Sequence, residues 1–378
     1  MSILKFICNR TNILLLLLLA VTTACQLSSS KVDPVSNTSR ADTQLLLNNA
    51  VLEQSNQASK TVWKIKADNI IYSEDNQVAT LTKVVGNLLQ NDSVILQLSA
   101  EAGEVKDNGN TIILNGKVIA RDPRNGSTIN SEVVEWRPQE NLLLIPQQLI
   151  GTKANLKVEA ASGRYRTDLE KLELENNVVA TSTQPSLQLT SDRLEWNIKQ
   201  EQIISPDAVR LVHYDREQTV TEELVSDRAE LDLATNQASL SKNIELISLD
   251  PPLQVATDSL TWNYQDRIGK SDRPIQILDR DRQISVTGNK GEINLTQNLA
   301  KLQDGVKGIN QLKLAEIFAR QMTWNLDTKE VEAIGNVIYE QADPQARLTG
   351  EKAIGALGNN NIVVTSNGKQ QVTTVIED

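Results

Sequence analysis

The sequence predicts an all-β protein in which antiparallel strands build an elongated array of two facing sheets. Three observations lead to this prediction. A repeat of about 31 residues runs along the chain, apolar and polar side chains alternate inside each repeat, and turn-forming residues separate the alternating segments. A right-handed β-helix is the alternative, but the polar hairpin turns favour antiparallel pairing because parallel strands need long crossover connections.

The N-terminal 24 residues have the layout of a secretory signal. Lys5 and Arg10 precede an apolar stretch over residues 13–21, and three small residues then stand directly before Cys25. The stretch is only about half of the ~20 residues that a membrane-spanning helix needs, which favours a cleaved signal. A cysteine at this place predicts a lipoprotein signal of residues 1–24, with acylation of Cys25; an ordinary signal with an unmodified Cys25 is the alternative.

Residues 25–58 are rich in Ser, Asn, Gln and Thr, which is typical of a flexible tether. One apolar island, at residues 45–47 and 51–52, is a candidate first strand. The only other cysteine, Cys8, lies inside the signal, so the folded part has no disulfide and depends on its core for stability. The net charge of −10, without a basic cluster, makes nucleic acid and anionic membrane surfaces poor candidates for partners.

Large residues recur at one anchor position of the repeat. The anchors are Ile71, Val105, Trp136, Tyr165, Trp196, Leu231, Trp262, Ile293, Trp324 and Ala356. Thirteen residues after each anchor stands a second set, namely Val84, Val118, Leu149, Val178, Val209, Ile244, Ile275, Val306, Val337 and Lys369. Nine of these ten are apolar in a chain that is 39% hydrophobic, so about ten repeats are present.

Each repeat carries the period-2 alternation of a half-buried strand. Four tryptophan anchors have an apolar neighbour two positions earlier on the same strand face, which gives the candidate inward pairs Val134 and Trp136, Leu194 and Trp196, Leu260 and Trp262, and Met322 and Trp324. A structural role and a ligand-facing role are equally open for these tryptophans. Turn-forming pairs such as Asn115-Gly116, Asn176-Asn177, Asp304-Gly305 and Gly335-Asn336 are expected between strands.

Residues that carry catalysis are almost absent. His213 is the only histidine, and its place near a predicted strand end favours a surface or strand-edge position. There is no pair of Cys or His at metal-ligand spacing and no glycine-rich phosphate loop. We therefore expect no enzyme activity, no metal and no cofactor.

Several segments resemble a known family. Residues 62–67, VWKIKA, followed by Ile71-Tyr72, are similar to the opening of LptC, a periplasmic lipopolysaccharide-export protein. Residues 102–105, 193–197 and 291–295 resemble the repeats shared by LptC, LptA and the OstA-like part of the outer-membrane translocon. The resemblance divides the chain into an LptC-like segment, 59–184, and an LptA/OstA-like continuation, 185–378.

The resemblance implies a β-jellyroll whose two sheets are open along one seam. It also implies a non-enzymatic role in the export bridge, where an apolar groove shields the acyl chains of lipopolysaccharide or a related glycolipid between the inner and outer membranes. The implied location is the periplasm, with the lipid on Cys25 holding the chain at the inner membrane. The alternatives are a structural or adhesive lipoprotein of the surface or outer membrane, and a carbohydrate-active β-solenoid.

The two ends of such an array are expected to bind partners by strand addition, because an open stack leaves unpaired backbone groups on its outermost strands. We expect the first edge strand to contain Trp63 and Ile65, and the last to contain Ile362, Val363 and Val364. The resemblance implies that the first edge meets the periplasmic domains of an inner-membrane ABC transporter. It implies that the last edge meets an LptA/OstA-like jellyroll protein.

A direct test of the predicted anchor is the chemistry of the mature N-terminus. We expect the mature chain to begin at Cys25 and to carry about two or three acyl chains, because a single chain gives only marginal membrane attachment. Mass spectrometry of the N-terminal peptide measures this. An intact signal, or an unmodified terminus at another residue, would contradict the prediction.

Overall fold

The structure, a computed structural model, describes residues 45–56, 61–74, 77–356, 362–366 and 373–375. The predicted signal, Cys25 and most of the predicted tether lie outside these residues. Within them, no helix is long and apolar enough to cross a membrane.

The described part of the chain forms 28 strands that are all connected by hydrogen bonding. Long strands of 11–14 residues are β1 Leu46–Asn56, β2 Thr61–Tyr72, β3 Ala79–Gln90, β4 Ser93–Lys106, β5 Thr111–Asp122, β6 Ser127–Arg137, β11 Lys171–Thr183, β12 Ser186–Asn197, β17 Gln237–Leu249, β18 Pro252–Asn263, β23 Leu299–Asn310, β24 Ala315–Asn325, β25 Glu330–Ala342 and β26 Gln345–Ala356. Short strands of 3–7 residues are β7 Leu142–Ile145, β8 Leu149–Lys153, β9 Leu156–Ala160, β10 Ser162–Arg166, β13 Gln202–Ser205, β14 Val209–Tyr214, β15 Val220–Ser226, β16 Arg228–Asp232, β19 Ile268–Ser271, β20 Ile275–Asp279, β21 Ile284–Gly288, β22 Lys290–Asn294, β27 Ile362–Thr365 and β28 Thr373–Val375. Two 3₁₀ turns, Asp107–Gly109 and Pro138–Glu140, connect β4 to β5 and β6 to β7.

Every long strand takes part in two layers. The first half of β11 pairs with β10 and its second half with β9, and the register shifts between Glu175 and Val178. In the same way β12 pairs with β14 through its first half and with β13 through its second. A long strand therefore bends from one layer into the other at a bulge, and a pair of short strands sometimes takes the place of one long strand.

We name the two layers by what they contain. Layer A holds the strand segments that carry Trp136, Trp196, Trp262 and Trp324, and layer B holds the strand segments on the other side of the bulges. The hinge edge is the edge where strands bend from layer A to layer B. The seam is the opposite edge, where the outer turns of the two layers meet without shared strands.

The bulges correct one expectation. Asn115-Gly116, Asn176-Asn177, Asp304-Gly305 and Gly335-Asn336 were predicted as turns between strands, but they lie inside β5, β11, β23 and β25. Positive φ angles at Gly116 (77°), Asn176 (66°), Gly305 (93°) and Gly335 (86°) make the bend. Glycine and asparagine tolerate this backbone region, so the sequence signal was correct for conformation and wrong for position.

The two layers face each other across a shared apolar interior. Trp63 in layer B and Trp136 in layer A belong to strands that do not pair, yet their ring centroids are 6.4 Å apart in an edge-to-face contact. The ring of Trp136 also approaches within 3.5 Å of the position that a Cβ would take at Gly86 in layer B. Every described pairing is antiparallel, which excludes the β-helix and confirms the two-sheet jellyroll.

The predicted repeat register is largely confirmed by burial. All nine apolar residues thirteen positions after an anchor are buried, and so are the anchors from Val105 to Trp324. Ile71 is a wrong anchor because its side chain is 39% exposed, whereas that of its neighbour Ile70 is buried. A one-residue shift reverses the face in a strand, so the first repeat was assigned one position too late. Lys369 lies outside the described residues.

The first edge differs from the prediction. Strand β1 pairs with β2 along its whole length, so Trp63 and Ile65 lie in a strand that has neighbours on both sides, and their assignment to the edge is wrong. The apolar island at residues 45–52 forms the outermost strand instead, because Leu47, Ala50 and Leu52 pack against the core. The tether is therefore shorter than residues 25–58.

The last edge consists of two short strands that lie end to end along β26. Strand β27 pairs with residues 352–355 of β26 in layer A, and β28 pairs with residues 347–349 in layer B. Among the described residues β27 has β26 as its one partner. At the other proposed boundary, 184/185, the chain simply turns between β11 and β12, and the ladder of these two strands continues without a break.

Candidate functional site

The interior between the two layers is the candidate site for a ligand. One hydrophobic cluster of buried side chains extends from Trp63 to Val364. All of the predicted groove residues belong to it and are at most 2% exposed: Val134, Trp136, Leu194, Trp196, Leu260, Trp262, Met322 and Trp324. The structure therefore brings them together along one wall of the interior. Their burial is compatible both with a structural core and with an apolar path for a ligand.

Two interior tryptophans carry an unsatisfied polar group. The indole Nε1 of Trp63 donates a hydrogen bond to Oε1 of Gln54 at 3.0 Å. The Nε1 atoms of Trp136 and Trp324 are buried and have no acceptor among the described residues. Each unmade hydrogen bond costs about 1–3 kcal/mol, so both indoles are donors that an oxygen-bearing occupant of the interior would satisfy.

The seam is closed by polar bridges between the outer ends of the two layers. At the first of these, Asp122 at the end of β5 in layer B accepts a hydrogen bond from the hydroxyl of Tyr165 in layer A, at 2.7 Å. Arg124 donates to Oδ1 of Asp122 at 2.9 Å and to the carbonyl oxygen of Thr167 at 2.7 Å. The side chain of Asp122 is 1% exposed and that of Arg124 is 26% exposed, so the carboxylate of this bridge is buried.

The second bridge repeats this arrangement one unit further along the chain. Nζ of Lys153, at the end of β8 in layer B, donates to the carbonyl oxygen of Ile198 in layer A at 3.1 Å and lies 3.3 Å from Oε1 of Glu201. A side chain of layer B again reaches a turn of layer A.

Two further bridges follow. Nε of Arg267 in the β18–β19 turn donates to Oε1 of Glu222 in β15 at 2.7 Å. Nζ of Lys329 in the β24–β25 turn lies 3.4 Å from Oδ2 of Asp279 at the end of β20. Three of the four bridges join residues 43 to 45 positions apart, about one and a half repeats. The sequence shows the charged residues that form these bridges. It does not show which residue of the other layer each of them contacts, because that depends on how the layers face each other.

The surroundings of Glu222 favour the ionised form of its carboxyl group. Burial alone would raise the pKa of this carboxyl, but hydrogen bonds from His213 and Thr221 and the charge of Arg267 outweigh it and lower the pKa below its ordinary value of 4.5. Nδ1 of His213 lies 2.6 Å from Oε2 of Glu222, and the His213 side chain is 19% exposed. His213, which was expected at the surface or at a strand edge, therefore supports the carboxylate of a seam bridge.

An apolar pocket lies in the seam between the second and third bridges. Its walls come from both layers and include Leu156, Leu187, Leu189, Leu211, Leu231 and Leu233. The amide side chains of Asn155, Gln184 and Asn236 are also part of its lining, and the pocket has a cavity volume of about 90 Å³. Burial raises the pKa of Tyr264, which also lines the pocket, to about 12, so its hydroxyl stays neutral.

No group of three or more His, Cys, Asp or Glu residues that could hold a metal ion occurs in the part of the chain that the structure describes. The acidic residues of the bridges are instead paired with Arg, Lys or Tyr. The arrangement can bind, enclose and release an apolar group, and it offers no obvious machinery for catalysis.

Comparison with known proteins identifies the family. A model described as "Lipopolysaccharide-assembly, LptC-related" matches residues 13–144 and 207–311, which together make up more than half of the chain. The chain belongs to the LptC-related family. It is therefore a non-enzymatic component of lipopolysaccharide transport in the periplasm.

One solved structure similar to this LptC-related chain is the crystal structure of LptH, the LptA-homologous periplasmic component of the conserved lipopolysaccharide transport device from Pseudomonas aeruginosa. The two share 15% sequence identity over 30% of this chain and 81% of that chain, with a TM-score of 0.26. A similarity at that TM-score carries no argument about function. The search of curated proteins finds no match.

Replacing Glu222 by Gln should destabilise this LptC-related chain in a pH-dependent way. The lowered pKa means that the ionised carboxylate stabilises the fold above pH 4.5 and that this contribution is lost as the pH falls through the lowered value. We expect a loss of about 1.5–3 kcal/mol at pH 7 that shrinks as the pH falls below 4.5. Chemical unfolding followed by tryptophan fluorescence measures it.

The matched control is the neighbouring residue. Glu223 pairs with Arg210 on the adjacent strand of the same layer, and its side chain is 36% exposed. Glu223→Gln should cost less than about 1 kcal/mol because exposed ion pairs contribute little. Equal losses for the two variants, or a Glu222→Gln loss that does not change with pH, would refute the assignment.

Proposed function

We propose that this protein carries the acyl chains of lipopolysaccharide or a related glycolipid in the interior between layers A and B. The observation that supports this is the form of the interior: it is one continuous apolar core, bounded by continuous strands at the hinge edge and, at the seam, by bridges that each depend on a side chain. Such an interior can open at the seam without breaking any strand pairing.

The physical need for such a path is large. Each methylene that leaves an apolar environment for water costs about 0.8 kcal/mol, so a bare acyl chain of a dozen carbons would cost roughly 10 kcal/mol, and several chains tens of kcal/mol. An apolar interior that runs along the stack removes this barrier at every step. The unpaired Nε1 donors of Trp136 and Trp324 add two places where an oxygen near the start of an acyl chain would be bound.

The proposal also covers the position of the protein in the transport path. A lipid on Cys25 would hold the chain at the inner membrane. Strand β1 would join the periplasmic domains of an inner-membrane ABC transporter, and β27 with β28 would join an LptA/OstA-like jellyroll. Strand addition at both ends would then continue the interior from one protein into the next.

A purely structural role is the second candidate. It is favoured by one observation, the close packing of the interior, where Trp136 and Trp324 are fully buried and the seam is bridged. In that case the core would be permanently dry and closed, and the protein would act as an adhesive or structural lipoprotein. The two candidates differ in whether lipid ever reaches the interior.

Photocrosslinking from the interior decides between them. We expect an aliphatic diazirine residue at Leu194 or Leu260, both 1% exposed, to form a covalent glycolipid adduct in cells that export lipopolysaccharide. A small aliphatic probe is chosen because a larger one would overpack the core. Mass spectrometry of the purified protein detects the adduct.

The matched control places the same residue at Leu312, which is 63% exposed in the β23–β24 turn. It should give little adduct. Equal labelling at Leu194 and Leu312, or no labelling at Leu194 and Leu260, would favour the structural role.

Partner binding at the last edge is tested with proline. Val363 is 64% exposed in β27, and Val363→Pro removes a backbone donor from this edge. We expect at least tenfold weaker capture of an LptA-type jellyroll protein, about 1.4 kcal/mol, with an unchanged circular dichroism spectrum.

Val51→Pro in β1 is the control at the opposite end, where Val51 is 56% exposed. It should leave capture of that jellyroll intact. The reverse pattern would show that the two ends are assigned the wrong way round, and capture unaffected by both variants would contradict strand addition.

A further inference from the structure

The seam has two kinds of closure along its length. Polar bridges close it at Asp122, Lys153, Glu222 and Asp279. Between Lys153 and Glu222 the two layers instead meet at the apolar pocket, where the β11–β12 turn of layer B stands opposite the β16–β17 turn of layer A. We call this pocket the seam port.

We propose that the seam port is the place where a single acyl chain enters or leaves the interior, and that the polar bridges on either side are latches that restrict the opening to this place. The proposal rests on the proposed function, because it assigns an entry site and its control to the same apolar interior. The ligand class is an amphiphile with an aliphatic chain, whose polar head stays outside the seam.

The position of the port follows from the spacing of the bridges. Bridges join a residue of layer B to a residue of layer A that lies 43 to 45 positions later. Gln184 stands 31 residues after Lys153, one repeat further along. The residue of layer A opposite Gln184 is expected 45 positions later, plus the four extra residues that lie between the anchors Trp196 and Leu231. That residue is Leu233. Pro185 and Leu233 both line the pocket, so apolar groups occupy a level at which a bridge is expected.

The lining of the port matches an aliphatic chain with a polar end. Leucines of both layers form its walls and lead directly into the core cluster, which contains Leu156, Leu187 and Leu231. The neutral amides Asn155, Gln184 and Asn236 offer hydrogen-bond donors and acceptors without charge. Nδ2 of Asn155 already donates to the carbonyl oxygen of Gln184 at 2.6 Å, so the β11–β12 turn is held in place beside the mouth.

The chemistry of the latches suits a closure that must reopen. Glu222 and Asp279 have side chains that are 4% and 1% exposed, so their attraction to Arg267 and Lys329 acts in a medium of low polarity while the seam is closed. When the seam opens, water hydrates both charges and offsets most of the lost attraction. Removing one partner leaves the other charge buried and unpaired, which favours the open seam.

The first experiment compares two adjacent carboxylates. Glu222→Gln unlatches the seam, whereas Glu223→Gln makes the same chemical change on an ion pair within layer B. The full-length purified protein is mixed with a fluorescent lauroyl-chain probe and the uptake rate is measured by stopped flow. We expect uptake to be roughly tenfold faster for Glu222→Gln and unchanged for Glu223→Gln; equal rates for both variants would overturn the role of the latches.

The second experiment closes the port itself and does not depend on losing a stabilising contact. Gln184→Cys with Asn236→Cys is joined by a short bifunctional thiol reagent that a reductant can cleave. Arg193→Cys with Asp207→Cys, an exposed ion pair at the hinge edge, is the control for the reagent. We expect the port crosslink to reduce uptake at least tenfold and reduction to restore it, with no effect of the hinge crosslink.

The outcomes separate this inference from the proposed function. If the probe enters the wild-type protein but uptake ignores both the port crosslink and Glu222→Gln, the port and latches are wrong while lipid carriage stands. If neither the wild-type protein nor any variant takes up the probe, and Leu194 forms no glycolipid adduct, both proposals fail.

Discussion

The bend that each long strand makes at the hinge edge is the constraint on which the rest of the structure depends. A single strand pass of this sequence has one apolar face and cannot bury it alone. Bending at the bulges places the layer B half of a pass over the layer A halves of passes further along, as the contact of Trp63 with Trp136 shows. Positive φ angles at residues such as Asn176 and Gly305 make the bend, and the repeat length of about 31 residues corresponds to two passes. The interior, the seam and the two open ends all follow from this one element.

The two edges of the stack have different physical properties because only one of them is continuous backbone. At the hinge edge, strand pairing continues into both layers and would have to be broken for the layers to part. At the seam, the layers share hydrogen bonds and ion pairs of side chains such as Asp122, Lys153 and Glu222. An apolar seam would resist opening because separation would expose methylene groups, whereas charges are hydrated once they part. A closed interior and the capacity to admit a lipid are therefore compatible in this architecture.

Sequence periodicity predicted the fold well and the seam poorly. The alternation around Trp136 and Trp324, and the second apolar position at Val178 or Val306, identify which face of each strand is buried, because that face repeats locally. The same reasoning placed Ile71 on the wrong face and Trp63 at an edge, since the register of the first repeat and the pairing of β1 depend on neighbouring strands. Asp122 and Arg267 look like ordinary surface charges in the sequence. Their roles depend on how many passes separate the facing layers, which a local pattern does not contain.

The family match tells in which process this chain takes part, whereas the structure shows the features that are specific to this chain. Membership in the LptC-related family establishes lipopolysaccharide transport, but it does not say how a stack of this length keeps its interior dry. A longer stack has a longer seam, and each added level is another place where water could enter or a lipid escape. Polar bridges at intervals of about one repeat, as at Asp122 and Lys153, limit that risk without fixing the layers together. The apolar pocket lined by Pro185 and Leu233 then concentrates opening at one site, so length and controlled access are achieved together.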